Sequence, residues 1–282
     1  MKELVDLVLE SRSAVLLGRN ADSALLEIAR LLDELGERIL YVDFGGTQLE
    51  VCEVLGIPPK ILGSEVSIEL EWDPIYARLE LSEALRRALG IRLRDSIGLA
   101  SRLSSTMPYR RSIESWIGDL EEIVCACFGG GRPLGDREVL TLANLPFCAR
   151  RVCLYLLLAY AASGGIGERA LLLPSSTALQ LFSRWDDYVA DLVERIGIWC
   201  TLIVSAPFAK PGSPPIYAFG CTILAEGEGR VLESKERPLG NLSRRGLIAC
   251  GLGTVIDRRE YVDRNGELKV ELSPRSMRGD RI

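Results

Sequence analysis

The residues from Gly18 to Leu25 stand where a nucleotide-binding protein would hold phosphate. The stretch VLLGRNADSALLEIARLLDELGERILYVDFGG, Val15 to Gly46, reads as apolar strand, glycine turn, amphipathic helix and second strand. In the phosphate loop G-x-x-x-x-G-K-[ST], glycines let the backbone close around the anion and amides donate to it. The lysine neutralises the β/γ charge and the hydroxyl holds Mg²⁺. With Gly18 as the first glycine, Arg19, Asn20, Ala21 and Asp22 fill the loop, and Ser23, Ala24 and Leu25 take the Gly, Lys and Ser/Thr places. Cation and metal ligand are lost together. The lysines are Lys2, Lys60, Lys210, Lys235 and Lys269, so none in this unit can substitute.

Two further positions bear on hydrolysis. A nucleotide hydrolase needs an acidic residue at the end of a central strand. The candidate strand ALLLPSSTAL supplies Pro174, Ser175 and Ser176 there. A polar sensor is expected at the end of TLIVSAP, where Ser205 keeps a hydroxyl and Ala206 does not. Three changes at successive expected points are what a decayed hydrolytic site would leave. An ordinary α/β domain that never held phosphate also ends apolar strands in Gly, Ser or Pro, so spacing alone leaves that alternative open. Arg19, Asn20 and Ser23 could still hold an anion at a helix N-terminus without a lysine.

The elements that position these residues follow from apolar patterning. Ala14 to Leu17 is a buried-type run; Leu25, Ile28, Ala29, Leu31, Leu32 and Leu35 mark one helical face; Gly36 closes the helix; and RILYVDF is the next strand. Strand, helix, strand with short connections implies a parallel sheet. A short strand is expected in SIELEWDPI, then helices over 79–89, 94–103 and 112–128, read as a helical insertion at 75–128 within a single domain of residues 1–282. GGGRPLGD is a joint. After it come the strand REVLTLANLP, the apolar helix FCARRVCLYLLLAYAAS, the strand RALLLPSS, the helix RWDDYVADLVERIG and the strands IWCTLIVSAP and YAFGCTILAEGE. A β-rich tail has Asn265-Gly266 as a hairpin turn.

Segment for segment, the chain resembles the RecA-type motor domain of the HerA/FtsK superfamily, which includes ATPases of conjugative DNA transfer. The likeness runs from VLLGRNADSALLEIARLL for the phosphate loop through ILYVDFGG, with Asp43 at the family's Asp after the second strand. It continues through LGIPPKILGSEVSIELEWDPI and REVLTLANLPFCARRVCLYLLLAYAA to RALLLPSSTALQLF for the acidic strand. ADLVERIGIWCTLIVSAPFAKPGSPPIYAFGCTILAEGE then stands for the sensor strand and its successor. It implies a RecA-like P-loop fold in which every departure falls on a functional position. The family's fold therefore carries over better than its activity. The runner-up is the RadA/KaiC-like branch, which LLLPSSTAL and LESKERPLG resemble; it implies the same sheet. An Asp that closes a strand, as Asp43 does, also often caps the following turn.

Composition narrows the rest. The chain has 282 residues, 48% hydrophobic, enough for a full core. A net charge of −5 argues against nonspecific coating of nucleic acid, and the absence of histidine from the sequence disfavours zinc. Most of the eight cysteines read as buried thiols, the four tryptophans as core or interface anchors. The acidic N-terminus and the short apolar run from Val152 to Ala162 predict a cytoplasmic protein. The expectation is therefore a pseudo-ATPase that requires no cofactor and works by contact. It would bind a protein partner, an active ATPase or nuclease subunit, with DNA contact through Arg244, Arg245, Arg258 and Arg259. The alternative is a binder of nucleotides or phosphate ligands with a remodelled pocket.

Overall fold

The computed structural model describes residues 2–18, 20–46, 50–70, 72, 74–89, 119–120, 122–129, 134–182, 186–206, 219–224, 247–249, 254–262 and 268–276. The elements are α1 (Lys2–Ser11), β1 (Ser13–Leu17), α2 (Ala21–Glu34), β2 (Ile39–Asp43), α3 (Glu50–Leu55), β3 (Lys60–Ile61) and α4 (Pro74–Leu89). A helical segment over 122–128 follows. Next come β4 (Arg137–Thr141), α5 (Phe147–Ala162), β5 (Ala170–Leu173), α6 (Ser175–Phe182), α7 (Asp187–Trp199), β6 (Thr201–Ala206) and β7 (Cys221–Leu224). The last are β8 (Leu247–Ala249), β9 (Thr254–Val262) and β10 (Leu268–Ser276).

Seven strands form one sheet in the order β3-β4-β2-β5-β6-β1-β7, with parallel pairing throughout. Parallel strands covered on both faces should be apolar at every position, and β1, β2, β5 and β6 are buried along their whole length. Successive side chains alternate between the two faces. Ala14, Leu16, Ile39, Tyr41, Leu172 and Ile203 pack with α1, α2 and α3. Val15, Leu17, Leu40, Val42, Leu171 and Val204 face α5, α6 and α7. α4 lies over α5, so α5 is enclosed nearly all round and can be apolar on every side. This is an α/β fold with a mostly parallel sheet flanked by helices.

Among the described residues of SIELEWDPI no strand forms where one is expected. The sheet instead takes Lys60–Ile61, and residues 67–70 run without strand pairing. Pro74 explains the change from there on: it lacks the N–H a ladder needs, and its fixed φ suits the first position of α4. Of the insertion expected at 75–128, α4 and the 122–128 segment are described, and Ala84, Leu120, Val124 and Cys127 join the core. The expected helix at 94–103 lies outside the described residues. The tail forms a separate antiparallel sheet, β10-β9-β8, in which Leu268 pairs Val262 across the expected hairpin. The turn residues Asn265 and Gly266 are outside the described set. Among the described cysteines, Cys127, Cys153, Cys200 and Cys221 are buried, while Cys125 is exposed. Trp72 packs edge-on to Tyr76 and Tyr160, whereas Trp199 is half exposed. Among the described residues no helix is long and apolar enough to cross a membrane.

Candidate functional site at the carboxyl ends of the strands

In open parallel sheets, ligands sit beyond the carboxyl ends of strands where the connections diverge. Here the chain leaves β1 for β2, three places away in the sheet, and later leaves β6 for β7 on the other side of β1. The expected site segments all lie at this end. Gly18 has a φ of 131°, which a side chain would strain, and its amide donates to the Ala206 carbonyl at 3.2 Å. The loop after β1 is thereby tied to the end of β6.

Asp22 completes the junction. Its Oδ1 accepts the Ser175 amide at 2.9 Å, its Oδ2 accepts the Ser175 hydroxyl at 2.5 Å, and Ser205 Oγ also donates to Oδ1. One carboxylate thus gathers donors from the ends of β5 and β6. An anion supplied by the chain itself lies where three strand ends meet.

The loop is shorter than the motif requires. α2 begins at Ala21 behind Asn20, whose side chain makes no capping bond. Ala21 donates to Gly18 O at 3.2 Å and Ala24 to Asn20 O at 2.9 Å, so both amides are already engaged. Ser23, Ala24 and Leu25 therefore lie within the helix, not in a wrapping loop. Ser23 is exposed, Ala24 is half-buried against the core, and Leu25 is fully buried among Ala21, Ile28, Ala29 and Leu32. Arg19 lies outside the described residues.

The acidic-strand position also differs from a plain strand end. Pro174 stops β5, and its carbonyl accepts the Thr177 and Ala178 amides that open α6. Ser175 and Ser176 belong to that helix's first turn. Thr177, which sequence reasoning missed, is fully buried: its hydroxyl donates to Val42 O at 2.8 Å and accepts the Phe44 amide at 3.0 Å. The signal was present in Ser-Ser-Thr directly after a strand-ending proline. Asp43 is fully buried, and its Oδ1 accepts the Gly45 amide at 3.3 Å, the turn-capping bond that its position suggests.

Two neighbouring groups report the electrostatics. Burial pushes the Tyr41 phenol well above its ordinary pKa, and the charges of Asp22 and Asp43 push it further. Burial also raises the Cys52 thiol, with Asp43 again adding to the shift. Burial is the main cause of both shifts, and the Asp43 charge contributes to each. Among the described residues no cluster of three or more His, Cys, Asp or Glu could hold a metal ion. Of the arginines expected to meet DNA, Arg258 and Arg259 lie on β9 opposite Leu272 and Glu271, while Arg244 and Arg245 fall outside the described residues.

No family model matches the chain, and no curated protein matches it. Among solved structures it is similar to VirB4 of Thermoanaerobacter pseudethanolicus at 14% identity, with a TM-score of 0.42, over 83% of this chain and 85% of that one.

Proposed function

We propose that the chain is a catalytically inactive P-loop ATPase homologue of RecA-like, HerA/FtsK type. It serves as a structural or regulatory subunit that binds an active DNA-handling ATPase or nuclease. In this reading residues 1–282 form one degenerate domain with a helical insertion at 75–128. Gly18 to Leu25, Pro174 to Ser176, and Ser205 with Ala206 are the remains of the phosphate loop, acidic strand and sensor. Arg244, Arg245, Arg258 and Arg259 would carry any DNA contact.

The observation that carries the reading is the Asp22 carboxylate, held by Ser175 and Ser205 at the junction where phosphates would have to enter. A phosphate charge brought within about 4 Å of it meets repulsion on the order of 4 kcal/mol at the effective dielectric of a protein surface. No lysine of this unit offsets that cost, and Asp43 adds to it.

The test measures ATP hydrolysis by the purified chain with Mg²⁺, alongside thermal shifts with ATP, ADP and inorganic phosphate. We expect no turnover and no nucleotide-dependent rise in Tm. Magnesium-dependent hydrolysis would overturn the reading. A strong nucleotide shift abolished by changes at Gly18 or Ser175 would replace it with a remodelled nucleotide-binding pocket. A mobility shift with duplex DNA across a salt series checks the arginines, since phosphate contacts weaken steeply as salt rises.

A further inference from the structure

The opposite end of the same sheet holds a cavity of about 320 Å³, within the size range of small-molecule sites. Arg38 and Arg169 line it, immediately preceding β2 and β5, and the Arg38 carbonyl accepts the Ala170 amide at 2.8 Å, which fixes the two arginines on adjacent strands. Ile68, Leu134 and Tyr160 supply apolar wall, and the turn 164–167 forms a rim. That turn lies flush on the Tyr160 ring: a Cβ at Gly165 would fall 2.0 Å from a ring carbon. Five residues of β2, at about 3.3 Å each, separate this cavity from the Asp22 junction.

Arg169 has 6% of its surface exposed. Its guanidinium donates to Ile166 O at 2.5 Å, to Leu134 O at 3.0 Å and to Gly135 O, all neutral carbonyls. A guanidinium has five N–H groups, so two are not used by these bonds. The nearby carboxylates pair with cations other than Arg169, one of them the cavity's own Arg38, where an incoming anion competes with Asp136. Asp136 pairs with Arg38 at 2.9 Å and is itself 81% exposed, while Glu138 pairs with Lys60 at 2.7 Å. Glu69 lines the cavity from an exposed position, where water screens it. Burial lowers the Arg169 pKa, and the Arg38 charge lowers it further, against the pull of Asp136 and Glu138. Among the described residues no carboxylate contacts Arg169, and a buried cation so placed is stabilised by an anion that reaches it.

We propose that this cavity binds an anionic small molecule, its carboxylate or phosphate held by Arg169 and Arg38 and its flat apolar body laid against Tyr160, Ile68 and Leu134. Guanidinium forks bind both oxyanions in the same two-point manner. The site is independent of the reading given to the Asp22 junction and stands or falls separately.

The intact chain is titrated with benzoate, phenyl phosphate, inorganic phosphate and neutral benzyl alcohol, by calorimetry and thermal shift at fixed ionic strength. Saturable binding of benzoate or phenyl phosphate is expected, with no binding of benzyl alcohol; the stronger of the two anions identifies the oxyanion class. Arg38→Gln alters an exposed ion pair and should leave the fold intact while weakening binding about tenfold or more. Arg169→Met, measured where it folds, should weaken it further, and Asp22→Ala should leave it unchanged. Absence of saturable binding by either aromatic anion overturns the proposal. So does binding that survives Arg38→Gln, or binding that changes with Asp22 in place of the arginines.

Discussion

The two ends of the central sheet settle their polar groups in opposite ways. At the carboxyl end, one carboxylate collects donors: Asp22 takes the amide and hydroxyl of Ser175 and the hydroxyl of Ser205. At the amino end, one cation collects acceptors: Arg169 binds the carbonyls of Leu134, Gly135 and Ile166. The first arrangement surrounds a negative charge with donors and leaves an incoming anion facing repulsion. The second surrounds a positive charge with neutral oxygens, so an incoming anion still has a charge to meet. Arg150 makes a similar carbonyl cluster at the carboxyl end, through Leu145 O, Ala143 O and Phe44 O, but it is only half-buried, beside the Phe44 ring. Arg169 is the more deeply buried of the two, and it lines a cavity. The end of the sheet where parallel folds place ligands thus carries the chain's own carboxylate, and the opposite end holds a cavity beside a buried cation.

Asp22→Ala should show the largest effect. It removes the acceptor that the Ser175 amide and hydroxyl share with the hydroxyl of the fully buried Ser205, and hydrogen bonds to a charged acceptor are the stronger kind. A loss of about 2–4 kcal/mol in urea unfolding is expected. Added inorganic phosphate should recover part of the lost midpoint in this variant and none in the parent, because only the variant lacks the carboxylate that these donors face. Recovery in both proteins, or in neither, would break the contrast between the ends.

Thr177→Val keeps the shape and removes the hydroxyl that joins α6 to the end of β2. The Phe44 amide and the Val42 carbonyl lose a shared buried partner, so about 1–2 kcal/mol should disappear in the same unfolding measurement. Arg169→Met should cost less, about 1 kcal/mol, because the three carbonyls lose their donor while a poorly compensated buried charge is also removed. A penalty for Arg169→Met above that of Asp22→Ala would mean that the amino end is the better satisfied of the two.

Sequence patterning carried most of the sheet. β1, β2, β5 and β6 were legible as uninterrupted apolar runs because both faces of a parallel strand are buried, and α2 was legible from its single apolar face and Gly36. The strand in SIELEWDPI was misplaced because its apolar alternation outweighed the proline that starts α4. The junction was legible in its parts and not in its wiring. Asp22 stood among the loop residues, but its partners are 153 and 183 positions away, and no local spacing encodes such a contact. Arg169 met the same obstacle: in the sequence it is one arginine beside a glycine-rich turn, and its carbonyl partners 34 and 35 positions away appear only once Leu134 and Gly135 are folded against it.

The smallest effect is expected where the motif invites the most direct repair. Ala24→Lys restores the residue type that the phosphate loop lacks, yet position 24 lies inside α2, with its amide bonded to Asn20 O, and not at the mouth of a wrapping loop. A lysine there can run its stem along the helix and place the ammonium in water, so stability should change by less than about 1 kcal/mol. The neighbouring position for the metal-binding hydroxyl is Leu25, which points into the core, and the Asp22 carboxylate stays at the junction. A coupled assay should therefore find no ATP hydrolysis above the parent, with or without Mg²⁺. Turnover in the single variant would show that the missing lysine alone had silenced the carboxyl end, and the self-supplied carboxylate would lose its place as the feature that sets the two ends apart.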